Sequence, residues 1–277
     1  MAKVTMTAQR WDELTALLKD EQRLQAEYPK VAEYLDMAEG LSGTGDDQVD
    51  AAFGLRFVHY MTGGCTVSSN PYWDIVEPLV FEHEGCQVVN GGQAKGSARL
   101  ALAQTILQAT YSYAIPSPKT IEWMSSLSAD LPIVELGAGR GYWAAQLSRA
   151  GIAVEAYDLE PPDKAKNVSF LKAAGQIDVW HPVSSLEEHA RRSRSASYVL
   201  FLCWPPGWGT TMASEALLSF EEARGERLIY IGEPKGGTTG DDAFFDTLSE
   251  RWRLDSIDPQ FVSWWTSKDV AQSWVRK

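Results

Sequence analysis

Cysteine is scarce in this sequence, with three residues among 277, Cys65, Cys86 and Cys203. An odd, widely spaced set argues against a disulfide framework and against a cysteine-based metal site. The sequence also lacks a long apolar run and an apolar leader segment, so we expect neither a membrane-spanning helix nor secretion. These absences predict a cytoplasmic protein without a bound metal.

Positive charge is also in short supply. Lys and Arg total 25 against 37 Asp and Glu, which gives a net charge of −12. Nucleic-acid-binding proteins usually present a basic face to phosphates. The one dense basic run, Arg191–Arg194, is more typical of a solvated helix end. We therefore expect an uncharged or cationic small-molecule substrate and no nucleic-acid partner. Tryptophan, by contrast, is abundant, with eleven residues, which favours aromatic pocket walls in addition to core packing.

The hydrophobic pattern changes near Pro116. Before it, apolar residues recur at helical spacing. Proline and N-capping residues mark further helix starts, and Pro78 is expected to kink or shorten the helix that contains it. The predicted helices cover residues 11–24, 29–37, 48–60, 70–83 and 98–114.

After Pro116, short apolar segments alternate with helical ones, which is typical of an open parallel α/β sheet. Strands are predicted at residues 133–137, 153–158, 179–183 (weakly), 197–204, 228–232, 253–257 and 270–275, and helices at 117–127, 142–150, 186–192, 211–223 and 243–252. The predicted fold is a seven-stranded, mostly parallel Rossmann-like sheet with helices on both faces, preceded by a helical cap. The predicted domains are 1–115, the cap that binds substrate, and 116–277, the cofactor-binding core.

A glycine-rich segment, Glu135-Leu136-Gly137-Ala138-Gly139-Arg140-Gly141, ends the first of these strands and opens a helix. Glycine allows a tight turn and a close approach of backbone to a ligand, and the helix N-terminus offers free N–H groups. The next strand ends at Asp158, about twenty residues further on, where a carboxylate can accept hydrogen bonds from a ribose. The dinucleotide fingerprint G-x-G-x-x-G is not met, because Tyr142 occupies the third glycine position.

The G-x-G-x-G spacing, with Glu135 before it and Asp158 after it, resembles motif I of the class I SAM-dependent methyltransferases over roughly residues 116–277. The resemblance implies that Glu135 orients the ammonium group of S-adenosyl-L-methionine (SAM), that the glycines approach its methionine part and that Asp158 binds its ribose. Val183 or Ser184 is the candidate beside the adenine. The complete candidate set for the cofactor is Glu135, Gly137, Ala138, Gly139, Gly141, Asp158, Leu159, Val183, Cys203 and Tyr111.

The fourth core strand ends in Cys203-Trp204-Pro205-Pro206-Gly207-Trp208. Amino-directed members of the family carry Asn, Asp or Ser, then Pro-Pro and an aromatic residue, at this place. Here Trp204 takes the polar position and Gly207 the aromatic one, so the side chain that would hold an amine is missing. Trp204 next to a sulfonium suits a cation–π interaction, although simple packing against the core is an equal alternative.

Other candidates come from the cap and the loops. His59 is the preferred general base because it ends a helix before a glycine-rich turn, and packing or capping is its alternative role. Tyr113 and Tyr111 lie at the junction with the core, and Glu233 lies in a loop after the fifth core strand. We take His59, Tyr113 and Trp204 as candidate catalytic residues. The candidate substrate contacts are Trp204, Pro205, Pro206, Tyr60 and Glu233.

The sequence therefore predicts a SAM-dependent methyltransferase acting on a small aromatic or heteroaromatic molecule, with transfer to nitrogen slightly favoured over oxygen or carbon. Two alternatives remain open. One is an NAD(P)-dependent Rossmann oxidoreductase, which the missing third glycine argues against. The other is a SAM-binding module that has lost transfer activity, which the presence of both Glu135 and Asp158 argues against.

Overall fold

The computed structural model describes residues 6–64, 68–162, 179–192 and 197–277. The described residues form two compact units, one reaching to Thr110 and the other starting at Tyr111. Among them, no helix is long and apolar enough to cross a membrane.

The first unit is mainly helical. Its elements are α1 (Ala8–Lys19), α2 (Glu21–Glu27), α3 (Pro29–Ala38), α4 (Asp47–Met61), α5 (Pro71–Val76), a 3₁₀ turn (Glu77–Leu79), β1 (Val80–His83), β2 (Cys86–Val89) and α6 (Ala98–Thr110). The side chain of Asn70 caps α5 by accepting a hydrogen bond from the Trp73 amide. Tyr34 of α3 packs against Phe53 and Phe57 of α4, with ring centroids 6.3 and 4.2 Å away, and all three rings are buried.

The helix predicted to run from Asn70 towards His83 is wrong in its second half. The helix ends at Val76, and Pro78 lies in the 3₁₀ turn that follows. Proline has no N–H to continue the ladder, so the chain leaves the helix there. The next residues form an antiparallel hairpin, in which Val80 pairs with Val89. Its turn, Glu84-Gly85, has positive φ at both residues (52° and 80°), as a two-residue type I′ turn requires.

The second unit alternates strands with helices. The strands are β3 (Ile133–Leu136), β4 (Val154–Asp158), β5 (Ser184–Ser185), β6 (Val199–Cys203), β7 (Arg227–Gly232), β8 (Trp252–Ile257), β9 (Val262–Trp264) and β10 (Val270–Arg276). The helices are α7 (Pro118–Ser128), α8 (Tyr142–Arg149), α9 (Leu186–Arg192), α10 (Met212–Glu222) and α11 (Asp242–Arg251).

Seven of these strands form one sheet in the order β5-β4-β3-β6-β7-β10-β8. The pairs β5–β4, β4–β3, β3–β6 and β6–β7 are parallel, whereas β10 runs antiparallel to both β7 and β8. The prediction of a seven-stranded, mostly parallel Rossmann-like sheet is confirmed. The carboxyl ends of β3, β4, β6 and β7 consequently meet at one edge, where ligands bind in open α/β sheets.

Successive side chains of a strand point to opposite faces of the sheet, so the hydrophobic core is divided between the two faces. Leu200 and Leu202 of β6 pack with residues of α10 and α11, including Leu217 and Phe244, on one face. Val199 and Phe201 pack on the other face, in a cluster that includes Trp143 of α8. This period of two is what a strand buried on both faces requires, and it gives the sheet a helical layer on each side.

Two further elements differ in position from the prediction, and one strand is additional. The third core strand is not at residues 179–183 but at Ser184–Ser185, two residues after Pro182, which cannot donate to a sheet ladder. Helix α6 ends at Thr110, four residues before the predicted end. The short strand β9 was not predicted from the sequence.

Candidate functional site

The glycine-rich segment forms a loop at the carboxyl edge of the sheet, between β3 and α8. Gly137, Gly139 and Gly141 have φ values of 78°, 56° and 73°, a left-handed backbone that favours glycine. The amides of Gly137 and Ala138 both donate to the carbonyl oxygen of Tyr157 in β4, at 2.9 and 3.0 Å. These two hydrogen bonds hold the loop in place against the neighbouring strand β4.

Gly141 is more tightly enclosed than Gly137, where a Cβ atom would meet only Cε of Met212 at 3.0 Å. A Cβ atom at Gly141 would lie 2.8 Å from the carbonyl oxygen of His181 and 3.1 Å from Cγ2 of Val183. The amide of Trp180 also donates to the carbonyl oxygen of Arg140 at 2.9 Å. The segment predicted as a strand instead packs against the glycine loop, and this places Val183 beside Gly141, with Ser184 directly after it in β5.

Glu135 lies at the centre of this edge and is 2% exposed. The Ala144 amide, in the first turn of α8, donates a hydrogen bond to the carboxylate, but Oε2 has no hydrogen-bond partner among the described residues. Burial, which desolvates the charged form, and the charge of the nearby Asp158 together raise the pKa of Glu135 to about 8, against the opposing effect of the Ala144 hydrogen bond. A cation in contact with this carboxyl group would favour its ionised form at neutral pH.

Asp158 ends β4 and contacts the same loop. Its Oδ2 accepts a hydrogen bond from the Gly139 amide at 2.8 Å, and its Oδ1 accepts one from the Glu160 amide at 2.9 Å. Desolvation raises the pKa of Asp158, and these amide hydrogen bonds oppose that rise. The carboxylate is half-buried, whereas the next residue, Leu159, is 78% exposed. The geometry thus brings Glu135, the three glycines and Asp158 together.

Three aromatic residues cluster next to the glycine loop. The ring centroid of Tyr142 lies 5.0 Å from that of Tyr111 and 4.9 Å from that of Trp180, and Tyr111 and Trp180 are 5.3 Å apart. Tyr142 thus fills the place where a dinucleotide site would have its third glycine with a packed aromatic ring. Sequence reasoning missed Trp180, and the surplus of tryptophan was the available signal.

The end of β6 holds Cys203 and Trp204. Burial and the charges of Glu135 and Asp269 raise the pKa of the Cys203 thiol, so the sulfur stays protonated. Trp204 has a φ of 51°, which is uncommon for a bulky residue and costs on the order of 1–2 kcal/mol. Its amide donates to the carbonyl oxygen of Ile231 at 2.7 Å. Its indole stacks on Tyr113 with ring centroids 5.1 Å apart and planes 9° apart.

The Pro-Pro segment after Trp204 is hydrogen-bonded to the loop that follows β7. Pro206 bridges to Thr239, and the carbonyl oxygen of Pro205 accepts a hydrogen bond from the Gly240 amide at 2.8 Å. Glu233 stabilises the same loop, since its Oε2 accepts hydrogen bonds from the amide and hydroxyl of Thr238. These bonds lower the pKa of Glu233, so the carboxylate remains ionised. Its Oε1 also accepts a hydrogen bond from the Lys268 amide at 3.2 Å, so both carboxylate oxygens of Glu233 are engaged.

Asp269, which sequence reasoning also missed, lies just before β10. It is 8% exposed, and its Oδ2 accepts a hydrogen bond from the Ser267 hydroxyl at 3.0 Å. Its Oδ1 has no hydrogen-bond partner among the described residues. Burial raises the pKa of Asp269 to about 6, and the facing indole of Trp204 opposes that rise. No spacing motif marks this residue, because an aspartate before a strand is typical of ordinary turns.

His59 and Tyr60 belong to the first unit, in the last turn of α4. Arg10 donates from Nε to Nδ1 of His59 at 3.2 Å and from Nη2 to the His59 carbonyl oxygen at 3.0 Å. Burial and the Arg10 charge lower the pKa of His59. With Nδ1 occupied as an acceptor, Nε2 carries the proton of the neutral ring, an arrangement that does not favour a base. Tyr60 is half-buried, and its ring lies 4.7 Å from that of His59.

In the part of the chain that the structure describes, no group of three or more His, Cys, Asp or Glu side chains is arranged to hold a metal ion. The groups at the sheet edge are carboxylates, backbone amides and aromatic rings.

Comparisons with known proteins find no matching family model and no matching curated protein. Solved structures do match. Magnesium protoporphyrin IX methyltransferase from Synechocystis PCC 6803, with bound SAM, is 13% identical and has a TM-score of 0.35, with 81% of this chain and 97% of that chain covered. The CcbJ methyltransferase from Streptomyces caelestis is 14% identical (TM-score 0.35, 57% and 94% covered). An rRNA methylase from Streptococcus thermophilus is 16% identical (TM-score 0.33, 57% and 94% covered).

These similarities are weak, and the fold is assigned from the strand order of the chain itself. A dinucleotide-binding sheet has the order 3-2-1-4-5-6 with all strands parallel. Numbered along the core in the same way, this sheet has a last, antiparallel strand, β10, inserted between β7 and β8. With its order 3-2-1-4-5-7-6, the chain has a seven-stranded Rossmann-like fold that differs from a dinucleotide-binding sheet in this last strand.

Proposed function

We propose that this protein is a SAM-dependent methyltransferase that acts on a small aromatic or heteroaromatic molecule, with nitrogen favoured as the acceptor atom. The observation that carries the proposal is the carboxylate of Glu135. It is buried, its Oε2 has no partner among the described residues, and it lies beneath a glycine loop at the ligand-binding edge of the sheet. A buried carboxylate oxygen without a partner is costly, so a site of this kind calls for a cationic ligand group.

SAM matches these requirements group by group. Its ammonium group satisfies Glu135, and its carboxylate suits the positive end of the α8 dipole at the helix N-terminus. Its ribose hydroxyls can donate to Asp158, which already accepts two backbone amides and still has lone pairs available. Leu159, which is largely exposed, and Val183, beside Gly141, offer apolar surface to the adenine. A nicotinamide dinucleotide fits less well, because its pyrophosphate gains nothing from a buried glutamate.

The charge of the chain supports a small-molecule acceptor. The net charge is −12, and Glu135, Asp158 and Asp269 are all in the second unit near the carboxyl edge. Polyanions such as RNA are repelled by this distribution. A nitrogen that becomes cationic on methylation is stabilised by it, which favours nitrogen over a phenolate or carboxylate oxygen.

SAM, when bound, supplies a methyl group activated by its sulfonium, so the demands on the protein are modest. Glu135 and Asp158 orient the cofactor, and the stacked rings of Trp204 and Tyr113 offer a flat, electron-rich wall to a planar acceptor. The carbonyl oxygen of Pro205 is already bound by Gly240, which holds the Pro-Pro segment in place but engages that oxygen. A general base is needed only for an acceptor that must lose a proton.

Ligand binding by the purified chain tests the cofactor part of the proposal. We expect S-adenosylhomocysteine to raise the melting temperature and to bind in calorimetry, and NAD or NADP to do neither. Glu135→Gln should weaken the binding at least tenfold. Glu155→Gln, which removes an exposed carboxylate from the neighbouring strand β4, should leave it unchanged. Stabilisation by NAD alone would replace the proposal by an oxidoreductase.

Transfer of a labelled methyl group to a panel of small molecules tests the acceptor part. The panel should pair heteroaromatic amines with phenols of similar size. We expect label to appear on nitrogen compounds at a higher kcat/KM than on the phenols. Tight binding of S-adenosylhomocysteine without transfer to any member would instead support a non-catalytic SAM-binding module.

A further inference from the structure

Asp269 and Trp204 form a pair that the proposed chemistry does not account for. Trp204 follows β6 and Asp269 precedes β10, and both lie in the second unit. The indole faces the carboxylate closely enough to lower its pKa. Yet Nε1 of Trp204 and Oδ1 of Asp269 are both shielded from solvent, and neither makes a hydrogen bond of ordinary geometry with any described residue.

Two adjacent buried polar groups that lack hydrogen-bond partners lower the free energy of unfolding. An unsatisfied buried donor or acceptor costs on the order of 1–3 kcal/mol, and more when it is charged. An indole N–H can only donate, and an ionised carboxylate can only accept, so the two groups are complementary. A small reorientation of the indole satisfies both at once.

The backbone of Trp204 supports the same interpretation. A φ of 51° is unfavourable for tryptophan, and such strain persists where the surroundings fix the residue. The Trp204 amide is held by Ile231, and the outer face of the indole is covered by Tyr113, which is itself 56% exposed. The ring also packs against the core cluster that includes Phe201, so its N–H is the polar contact that sets how the ring is turned.

We propose that Asp269 is a positioning residue, whose carboxylate accepts a hydrogen bond from Nε1 of Trp204 and so sets the plane of the Trp204–Tyr113 stack against which the acceptor lies. A hydrogen bond to an anion also enriches the indole ring in electrons, which strengthens its attraction for a cationic nitrogen. The inference rests on the proposed function for the identity of the acceptor site, but the Asp269–Trp204 contact itself does not.

The titration of Asp269 can be distinguished from the titrations of the ionisable groups near it. The titratable groups coupled to it are Glu233, Cys203 and Tyr230. Glu233 has a lowered pKa and stays ionised above pH 5, while Cys203 and Tyr230 have raised pKa values and stay neutral below pH 8. The basic residue close to Glu233 is Lys268. Between pH 5 and 8, Asp269 is therefore the group in this set that changes charge.

Nuclear magnetic resonance of the intact chain, labelled with ¹⁵N in its tryptophans, tests the proposal. Trp204→Phe assigns the Nε1–H signal of Trp204 by its disappearance. We expect this signal to move downfield as pH rises, with a midpoint of about 6, as Asp269 ionises. Asp269→Asn should abolish the movement. Asp255→Asn, which removes a carboxylate of β8 bound by Arg227, should retain it.

Each outcome decides the matter. A Trp204 signal that does not respond to pH in the wild-type chain, or that responds equally in Asp269→Asn, overturns the proposal. If Asp269→Asn does not fold, the wild-type titration tests the proposal by itself, through the presence or absence of a midpoint at about pH 6 in the Trp204 signal. Melting temperatures with S-adenosylhomocysteine, measured on the same samples, keep the two proposals apart. Binding with an unresponsive Trp204 refutes only the role of Asp269, whereas a responsive Trp204 without binding refutes only the cofactor.

Discussion

The amide of Gly139 donates a 2.8 Å hydrogen bond to Oδ2 of Asp158, and so joins the glycine loop to the acidic residue at the end of β4. The two residues are 19 positions apart in sequence. The bond means that the residue proposed to bind the ribose also holds the loop proposed to bind the methionine part. Changes at either residue should therefore affect both parts of the cofactor site.

Asp158→Asn provides the first test. The substitution keeps the size of the side chain but removes its charge, which weakens the bonds from Gly139 and from a ribose. A hydrogen bond to a charged group contributes about 1.5–3 kcal/mol, so we expect roughly 10- to 150-fold weaker binding of S-adenosylhomocysteine. Calorimetry measures this, and Asp246→Asn, an exposed carboxylate paired with Lys235, is the control expected to bind normally. Unchanged affinity in Asp158→Asn would argue against the ribose contact.

Gly141→Ala provides a second test. Both Gly141 and Gly151 have positive φ (73° and 83°), but a Cβ at Gly141 meets the His181 carbonyl oxygen at 2.8 Å, whereas at Gly151 it meets nothing within 4 Å. Gly151→Ala thus measures backbone strain alone, at about 1–2 kcal/mol. We expect Gly141→Ala to lose more free energy of unfolding than this control, and to bind S-adenosylhomocysteine poorly. Equal losses in chemical denaturation would show that the loop tolerates displacement of His181.

Proton uptake and release at Glu135 provide a third test. The pKa of Glu135 in the ligand-free protein is about 8, so at pH 7 the carboxyl group is mostly protonated. Contact with an ammonium group favours the ionised form, so binding of S-adenosylhomocysteine at pH 7 should release close to one proton. Binding enthalpies measured in phosphate and in Tris should differ accordingly. Glu135→Gln should show no such difference, and a wild-type enthalpy independent of buffer would contradict the assigned contact.

The same shift determines how stability depends on pH. A carboxyl group whose folded pKa lies above its unfolded value of about 4.5 binds more protons in the folded state. Its contribution to the free energy of unfolding therefore falls as pH rises between about 4.5 and 8, and then levels off. Glu135→Gln removes this contribution. We expect the ligand-free variant to gain stability relative to wild type as pH rises from 5 to 8, as measured by urea denaturation.

His59 gives a fourth test, in the first unit. Burial and Arg10 lower its pKa below 6.5, so it should be neutral at pH 7, with the proton on Nε2. Replacing Arg10 by Gln removes a positive charge and should raise the pKa of His59. Histidine Cε1–H signals followed against pH, with His59→Gln for assignment, measure this. A wild-type pKa at or above 6.5 would restore His59 as a base candidate.

The effect of His59 on the pH dependence of the free energy of unfolding is opposite in sign to that of Glu135. A histidine with a lowered folded pKa takes up fewer protons in the folded state than in the unfolded state. Its neutral form therefore costs no stability above pH 6.5, and stability is lost as pH falls below that value. Arg10→Gln should reduce this loss of stability at low pH. The variant also loses hydrogen bonds to Thr62 and His59, and their contribution is measured at pH 8, where His59 is neutral in the folded and the unfolded state.

Much of the second unit was predictable from sequence because its signals are local. Apolar runs mark β3, β6 and β7, and capping residues such as Ser117 mark helix starts. The glycine loop was predictable for the same reason, since left-handed backbone at Gly137, Gly139 and Gly141 restricts the choice of residue. The strand at residues 179–183 failed because Trp180 is held by Arg140 across the chain, and this contact competes with sheet pairing.

The sequence by itself determined the alternating strands and helices and the residue types at the glycine loop, because those depend on backbone conformation and hydrophobic period over a few residues. Only the tertiary structure decided that β10 inserts between β7 and β8, and that Asp269 faces Trp204. Those relationships join residues 65 positions apart, or strands from different parts of the chain. They depend on the complementarity of side chains that meet only when the sheet is assembled, and no local pattern encodes it.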